Sequence, residues 1–176
     1  RKRFLDKNEA ELLLNELYET HYDTYCLVLF ALHTGARRSE VYKVQWNNVD
    51  FENQLIKLER KGGKDGYVYM SDRLYNMLIE RKRNATSKYV FPGRKGECRC
   101  IAPPTVFNKV TERLFNKNAD AKDKVTFHTL RHTFASWLVI NSTPLYHVAK
   151  LMGHSTTKMT ERYAHLSPDN ERRAIK

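Results

Sequence analysis

The stretch that decides the fold reads H-T-L-R-H-T-F-A-S-W-L and runs from His128 to Leu138. Apolar residues recur in it every four positions, at Leu130, Phe134 and Leu138, which is the spacing of one buried stripe on an α-helix. Arg131 follows His128 by three positions, so the two side chains would lie next to each other on a neighbouring face. We therefore predict a helix that packs into a core along one face and presents an imidazole and a guanidinium on the next.

Helical signals also lie on both sides of this stretch. They predict helices after Asp6, through Tyr25 to Leu32 with an end at Gly35, from Arg37 to Val44, from Ser71 or Asp72, after Pro104, from Thr143-Pro144 to Gly153, and after Ser167-Pro168. Three short strands are predicted at 49–51, 55–59 and 67–70, with the segment 61–66 turning the last pair. With 176 residues, 41% of them apolar, the chain can fill one core. The expected fold is α+β, a mostly helical domain with a small three-stranded antiparallel sheet on one edge.

The chain is strongly basic. It has 31 Lys and Arg residues against 20 Asp and Glu, which gives a formal net charge of +11 and a pI near 9.6. Such an excess favours a polyanionic partner, because each cation beside a phosphate releases condensed counterions. The alternative is a solvated surface that is merely basic.

Cysteine use and hydropathy bear on the compartment. Cys26, Cys98 and Cys100 are too few for a disulfide framework, so a reducing environment is expected. No run of about 18 apolar residues and no signal peptide is found, so we expect no membrane partner and a cytoplasmic protein. Because the chain begins at Arg1 rather than Met, we also expect it to be a fragment of something longer.

Two arginines, Arg37 and Arg131, are candidates for binding a phosphate. The planar guanidinium is always charged and matches phosphate oxygens bidentately, so two of them could neutralise one phosphodiester without a metal. Arg37 lies where a short helix begins after Gly35, and free backbone amides at such a position favour an anion. Glu40, three residues later, is expected to orient the guanidinium or a neighbouring histidine rather than transfer protons.

Two places in the sequence have residues of the types that bind metals. His128 and His132 are four residues apart, a spacing that can hold zinc, but no acidic or thiol third ligand stands nearby in sequence. Cys98 and Cys100 form a C-x-C pair without a second pair, so loop thiols are the favoured interpretation. We therefore expect no metal.

Tyr163 is the candidate nucleophile among 10 tyrosines. It follows His154 across a Ser- and Thr-rich stretch, 155–160, that we expect to be flexible enough to bring the phenol to a site. The unperturbed pKa of a phenol is about 10, so attack at neutral pH needs nearby positive charge or a base. The arginines would supply that charge.

Four segments carry a family resemblance. They are T-G-A-R-R-S-E-V at 34–41, H-T-L-R-H-T-F-A-S at 128–136, L-M-G-H at 151–154 and T-E-R-Y-A-H at 160–165. Each segment is weak alone, but their order and the position of Tyr163, nine residues after His154, are those of one family. The chain resembles the catalytic domain of a tyrosine recombinase, the phage integrase family, over nearly its whole length.

The resemblance implies a role for each matching residue. Arg37 and Arg131 would clamp the scissile phosphate, and Tyr163 would form a 3′-phosphotyrosyl link. His128 and His154 would donate to the phosphate oxygens or shuttle the tyrosine proton. A lysine in the β-turn would protonate the departing 5′-oxygen.

Lys61, before two glycines, fits the lysine role best, and Lys64 on the same turn is the alternative. The implied catalytic set is therefore Arg37, Lys61, His128, Arg131, His154 and Tyr163, with Glu40 in support.

The implied function is that of a site-specific DNA recombinase or integrase, a DNA strand transferase that needs neither metal nor nucleotide cofactor. Residues 1–176 would be the catalytic domain, without the N-terminal DNA-binding domain that family members carry. The partners would be double-stranded DNA and further copies of the protein, in a tetramer on DNA. Two alternatives stay open: a type IB topoisomerase that rejoins the same strand, and a non-catalytic helical DNA-binding protein whose arginines and histidines contact phosphates.

Overall fold

The fold is described from a computed structural model that covers residues 3–60, 63, 65–98 and 104–167. The α-helices are α1 (Lys7–Thr20), α2 (Tyr22–Thr34), α3 (Arg38–Lys43), α4 (Asp72–Arg83), α5 (Thr105–Thr111), α6 (Phe127–Ile140) and α7 (Leu145–Met152). The strands are β1 (Val49–Asp50), β2 (Leu55–Glu59) and β3 (Asp65–Tyr69). The expected α+β fold class is confirmed.

Helix α2 forms the centre of the core. Ten of its residues are buried, including Leu27, Leu29 and Phe30, as its apolar sequence predicts. Helices α1 and α6 pack against it. The start of α1 is fixed by a capping box, in which Asp6 and Glu9 each accept a hydrogen bond from the backbone N–H of the other.

The sheet is antiparallel in the order β1-β2-β3. Ile56 pairs with Val49 on one side and Val68 on the other, and all three side chains are buried. Lys57 and Tyr67 pair on the opposite, exposed face. This alternation follows from the two-residue period of a strand.

Several element boundaries differ from the predictions: β1 ends at Asp50 rather than Phe51, and β3 ends at Tyr69 rather than Met70. Strand β3 begins at Asp65 rather than Tyr67, because Asp65 pairs with Glu59 and Gly66 with Leu58. Helix α7 begins at Leu145, after Pro144 rather than at Thr143, and no side chain caps its start. The helix predicted after Ser167-Pro168 lies outside the described residues.

The C-terminal part folds onto α6 as a second small core. Helix α7 ends at Gly153 in the left-handed conformation, as predicted, and 3-10 helices at Thr157–Met159 and Glu161–Leu166 follow. The Ser- and Thr-rich stretch is thus partly helical. Buried side chains from these elements pack together: Ala135, Val139, Val148, Met152 and Tyr163. The packing brings Tyr163 to the side of α6.

Candidate active site

Arg37 is held in place by its own helix. It is the residue before α3, its backbone N–H donates to Oε2 of Glu40, and its Nη1 donates to Oε1 of Glu40 at 2.8 Å. Glu40 is 3% exposed, whereas the side chain of Arg37 is 31% exposed. The expectation that Glu40 orients the guanidinium agrees with this geometry.

Arg131 is buried and is held by backbone carbonyls. Its Nη1 donates to the carbonyl of Gly35 at 2.6 Å, and its Nη2 donates to the carbonyl of Met152 at 2.5 Å. Gly35 adopts a left-handed φ of 60°, and a Cβ there would lie 2.3 Å from the ring of Phe134 on α6. The absence of a side chain thus allows the end of α2 to approach α6 closely enough for Arg131 to reach its carbonyl.

Burial and neighbouring positive charge change the acidity of Arg131. Burial first, and then the charges of Arg37 and Arg60, lower the pKa of Arg131 to about 10, although Glu40 opposes them. The guanidinium is still charged at pH 7. Because desolvated charges interact strongly, this cation is well suited to binding an anion that enters beside it.

The two arginines and His128 meet at one cavity. It has a volume of about 280 Å³ and is lined by Ala36, Arg37, Arg38, Ser39, Phe127, His128 and Arg131. The predicted proximity of His128 and Arg131 on α6 is therefore found, with Arg37 opposite on the loop after α2. Such a cluster of donors can bind the non-bridging oxygens of a phosphodiester.

Arg60 completes the cluster and was missed from the sequence. It lies at the end of β2, its Nη1 donates to Oε2 of Glu40 at 2.8 Å, and its Nη2 donates to the carbonyl of Leu151 at 2.7 Å. A Cβ on Gly66 would lie 2.5 Å from Nε of Arg60, and a Cβ on Gly153 would lie 2.9 Å from it. Two glycines thus leave the slot that the side chain occupies, and Arg60 connects the sheet, α3 and α7.

His154 follows Gly153 at the end of α7. Burial first, and then Arg131 and Arg37, lower the pKa of His154 to about 4, so the ring is neutral at pH 7. Its Nδ1 lies 2.8 Å from Oγ1 of the fully buried Thr160. If the threonine hydroxyl donates to Nδ1, the ring carries its proton on Nε2 and can donate it to a phosphate oxygen.

Tyr163 packs against α6 and is 4% exposed. Its hydroxyl oxygen lies 2.5 Å from Nδ1 of His132, a residue that sequence reasoning considered only as a zinc ligand. Burial raises the pKa of Tyr163 above its usual value, while the charges of Arg162 and Arg131 act in the opposite direction. The candidate nucleophile therefore lies within electrostatic reach of the arginine cluster.

The structure brings together most of the predicted site residues: Arg37, Glu40, His128, Arg131, His154 and Tyr163. Lys61, Lys64 and Cys100 lie outside the described residues. Within the described ranges, no group of three His, Cys, Asp or Glu residues is arranged to hold a metal ion. None of the helices in those ranges has the length and apolar character needed to cross a membrane.

Sequence comparisons relate the chain to known proteins. The profile of the phage integrase family matches residues 3–170. The integrase of Salmonella phage P22 is 29% identical over 180 residues, which cover 97% of this chain and 45% of the phage protein. Tyrosine recombinase XerC of Pediococcus pentosaceus is 32% identical over 143 residues, covering 77% of this chain and 47% of that protein. The chain spans about half the length of these curated relatives.

Solved structures with the same fold are integrases too. The catalytic domain of bacteriophage HP1 integrase superposes with a TM-score of 0.75 at 27% identity, covering 99% of this chain and 94% of that one. The Tn1549 transposon integrase in complex with transposon right end DNA has a TM-score of 0.82 at 19% identity, covering 99% of this chain and 65% of that one. The second likeness concerns the fold alone. Together with the profile match, the superposition on the HP1 domain agrees with the four sequence segments, and the chain belongs to the phage integrase family.

Proposed function

We propose that this chain is the catalytic domain of a site-specific DNA recombinase or integrase, which cleaves and rejoins DNA strands through a 3′-phosphotyrosyl intermediate. The observation that carries the proposal is the cavity where Arg37, Arg131 and His128 converge, with Tyr163 packed on the same helix. The relatives named above support the same activity.

The geometry suggests how the residues would divide the work. Arg37 and Arg131 would bind the two non-bridging oxygens of the scissile phosphate, and His128 and His154 would donate to the same oxygens. Glu40 and the backbone carbonyls hold the guanidinium groups before substrate arrives, so little reorganisation is needed when charge develops in the transition state.

The chemical step is a transesterification. The Tyr163 oxygen forms a bond to phosphorus, the bond from phosphorus to the 5′-oxygen breaks, and the phenolic proton is lost. The departing 5′-oxygen takes up a proton from a general acid, for which we propose Lys61, with Lys64 as the alternative. The link keeps the energy of the phosphodiester, so a 5′-hydroxyl from another strand can reverse it without a nucleotide cofactor.

The partner would be double-stranded DNA, to which the net charge of +11 is suited. The Tn1549 integrase, whose fold this chain shares, was solved in complex with DNA. A tetramer on DNA, in which four such domains exchange strands, is part of the same proposal. So is a place in the cytoplasm, where the DNA substrate would lie.

The test is formation of a covalent adduct. Native protein is incubated with short nicked duplexes whose bases around the nick are randomised, and denaturant-resistant adducts are captured and sequenced. Tyr163→Phe should form no adduct while binding DNA normally. Tyr146→Phe, which removes the same hydroxyl from a side chain that is 66% exposed, should react like native protein.

The outcomes separate the alternatives. Absence of any adduct with native protein on the full randomised pool would favour a non-catalytic DNA-binding protein. Adduct formation by Tyr163→Phe would show that another tyrosine attacks. Rejoining to a different duplex, rather than only to the same strand, would separate a recombinase from a type IB topoisomerase.

The general acid is tested with a substrate whose 5′-bridging oxygen is replaced by sulfur. A thiolate leaves without a proton, so a variant that lacks only the acid should recover on this substrate. Lys61→Ala should recover, and Arg37→Ala should not, because the arginine stabilises the non-bridging oxygens in either case. Recovery of Lys64→Ala alone would assign the role to Lys64.

A further inference from the structure

The hydroxyl of Tyr163 forms a hydrogen bond with a buried histidine that the proposed mechanism does not use. Nδ1 of His132 lies 2.5 Å from the phenol oxygen, and the two residues are 9% and 4% exposed. We propose that His132 accepts the phenolic proton when Tyr163 attacks the phosphate. This inference rests on the proposed function, because it assumes that Tyr163 is the nucleophile.

The nucleophile needs a base at this place. Burial raises the pKa of Tyr163 above 10, so at neutral pH very little of the phenol is ionised. A positioned base that takes the proton as the bond to phosphorus forms removes this barrier. Nδ1 of His132 already lies within hydrogen-bonding distance of the phenol oxygen, which is the geometric condition that such a base must meet.

His154 is placed for a different task. Its Nδ1 forms a hydrogen bond with Oγ1 of Thr160 rather than with Tyr163. Its pKa near 4 makes it a poor proton acceptor at neutral pH. We therefore separate the two histidine roles, with His154 as a donor to the phosphate and His132 as the acceptor from the phenol.

His132 also contacts a histidine that lines the cavity. Its ring packs edge to face on that of His128, with ring centroids 4.5 Å apart. His128 is exposed and lines the cavity, so the ring pair lies beside the proposed phosphate site. The charges that act on Tyr163 are those of Arg162 on the 3-10 helix and Arg131 on α6. Helix α7 contributes the apolar Val148 and Met152 to the cluster in which Tyr163 packs.

The phenol proton moves from Oη of Tyr163 to Nδ1 of His132 as the Oη–P bond forms. The P–O5′ bond breaks, and the 5′-oxygen takes a proton from the general acid of the turn or from water. On rejoining, a 5′-hydroxyl attacks, the Oη–P bond breaks, and His132 returns the proton to the phenolate.

The atom that accepts the proton suggests two informative substitutions. In asparagine, the terminal oxygen is attached to Cγ and can take the position of Nδ1, but an amide does not take up a proton at neutral pH. His132→Asn thus keeps an acceptor for the hydrogen bond and removes the base. In glutamine the amide reaches the position of Nε2, so His132→Gln removes the acceptor from the position of Nδ1 as well.

The experiment measures single-turnover adduct formation between pH 5 and 9 on the nicked duplexes selected by native protein. For His132→Asn we expect unchanged DNA binding and a rate of adduct formation at pH 7 that is lower by about 10²-fold. This factor is the smallest contribution that general acid–base catalysis typically makes. The rate should then rise about tenfold per pH unit up to pH 9, because only ionised phenol reacts. The rate of native protein should rise less steeply with pH, because a positioned base takes the proton from un-ionised phenol.

Controls isolate the base from other effects. His147→Asn, the same change on an exposed histidine of α7, should behave like native protein. The loss in His132→Asn should persist on the substrate with 5′-bridging sulfur, because that substrate bypasses only the acid. If His132→Asn does not fold, the native profile alone still tests the inference. A native rate that rises tenfold per pH unit through pH 9 would show that only ionised phenol reacts and would rule out proton transfer to His132.

The possible outcomes are distinct. A native rate for His132→Asn, or a slow rate whose pH profile parallels that of native protein, would overturn the inference and reduce His132 to a positioning residue. Recovery of His132→Asn on the sulfur substrate would overturn it as well, because it would make His132 part of the acid. In each of these cases an inactive Tyr163→Phe leaves the proposed function standing, whereas adduct formation by Tyr163→Phe overturns both.

Discussion

Glu40 offers the sharpest test of how the arginine cluster is held together. Its two oxygens accept three hydrogen bonds: Oε1 from Nη1 of Arg37, and Oε2 from the backbone N–H of Arg37 and from Nη1 of Arg60. In Glu40→Gln, one of these oxygens becomes an NH2 group, which faces a donor in either orientation of the amide. The same change removes the carboxylate that offsets the charges of Arg37 and Arg60.

The expected cost follows from burial. The side chains of Glu40 and Arg60 are 3% and 5% exposed, and breaking a buried ion pair by removing one partner costs about 3–5 kcal/mol. The control is Asp65→Asn on β3, which removes the carboxylate from the ion pair with Lys57. That pair is 45% and 44% exposed, and exposed pairs contribute about 0–1 kcal/mol.

Urea unfolding at pH 7, followed by circular dichroism, gives the free energy of unfolding of each variant. Glu40→Gln should lose at least 2 kcal/mol more than Asp65→Asn, by the difference between these two classes of ion pair. A loss in Glu40→Gln within about 1 kcal/mol of that in Asp65→Asn would refute the argument that burial makes this carboxylate essential to the cluster.

Arg131→Lys should form adduct about 10²-fold more slowly in single-turnover assays, with DNA binding nearly unchanged. The reason is that an ammonium group cannot replace the planar guanidinium that reaches two carbonyls. Near-native cleavage by this variant would contradict the role of Arg131. Gly153→Ala should lower the free energy of unfolding more than Gly63→Ala. Both glycines have a left-handed φ, 62° and 72°, but of the two only Gly153 would bring the added Cβ against Arg60. Equal losses of stability in the two variants would contradict this reasoning. The melting temperature should fall as the pH is lowered from 6.5 to 4. The pKa values of His33 and His154 are about 4 in the folded chain and lie below those of the unfolded chain, so unfolding takes up protons in this pH range. His33→Gln should make the fall in melting temperature smaller. DNA affinity measured by fluorescence anisotropy should be weak, show little sequence preference and decline steeply with salt, and tight specific binding at high salt would argue against contacts made mainly to phosphates.

Local signals were enough to predict much of the architecture. The apolar circumference of α2, the Asp6 cap and Gly153 each act within one turn of helix, so the sequence around them contains the whole cause. Strand β3 was harder, because its start depends on the pairing of Asp65 with Glu59 across a turn. Neither residue favours a strand by itself, and the partner strand supplies the missing hydrogen bonds.

The residues that sequence reasoning missed depend on tertiary contacts. Arg60 reaches Glu40 and Leu151 through a slot between Gly66 and Gly153, and these four positions are spread from 40 to 153 along the chain. The only local signal was an arginine at the end of an apolar strand, next to the predicted lysine turn. For His132 the signal was its position beside Arg131, one turn after His128, but its partner Tyr163 is 31 residues away.

Two backbone carbonyls orient the guanidinium of Arg131. A guanidinium has five N–H donors, and Arg131 uses one from each Nη on the carbonyls of Gly35 and Met152. Both carbonyls lie at or next to the C-terminal end of a helix, where unpaired carbonyls carry partial negative charge. These contacts fix the plane of the guanidinium and compensate part of its desolvation. Its three other N–H donors could bind a phosphate. A cation oriented by neutral carbonyls keeps its full charge for the substrate, whereas a second carboxylate would have cancelled it.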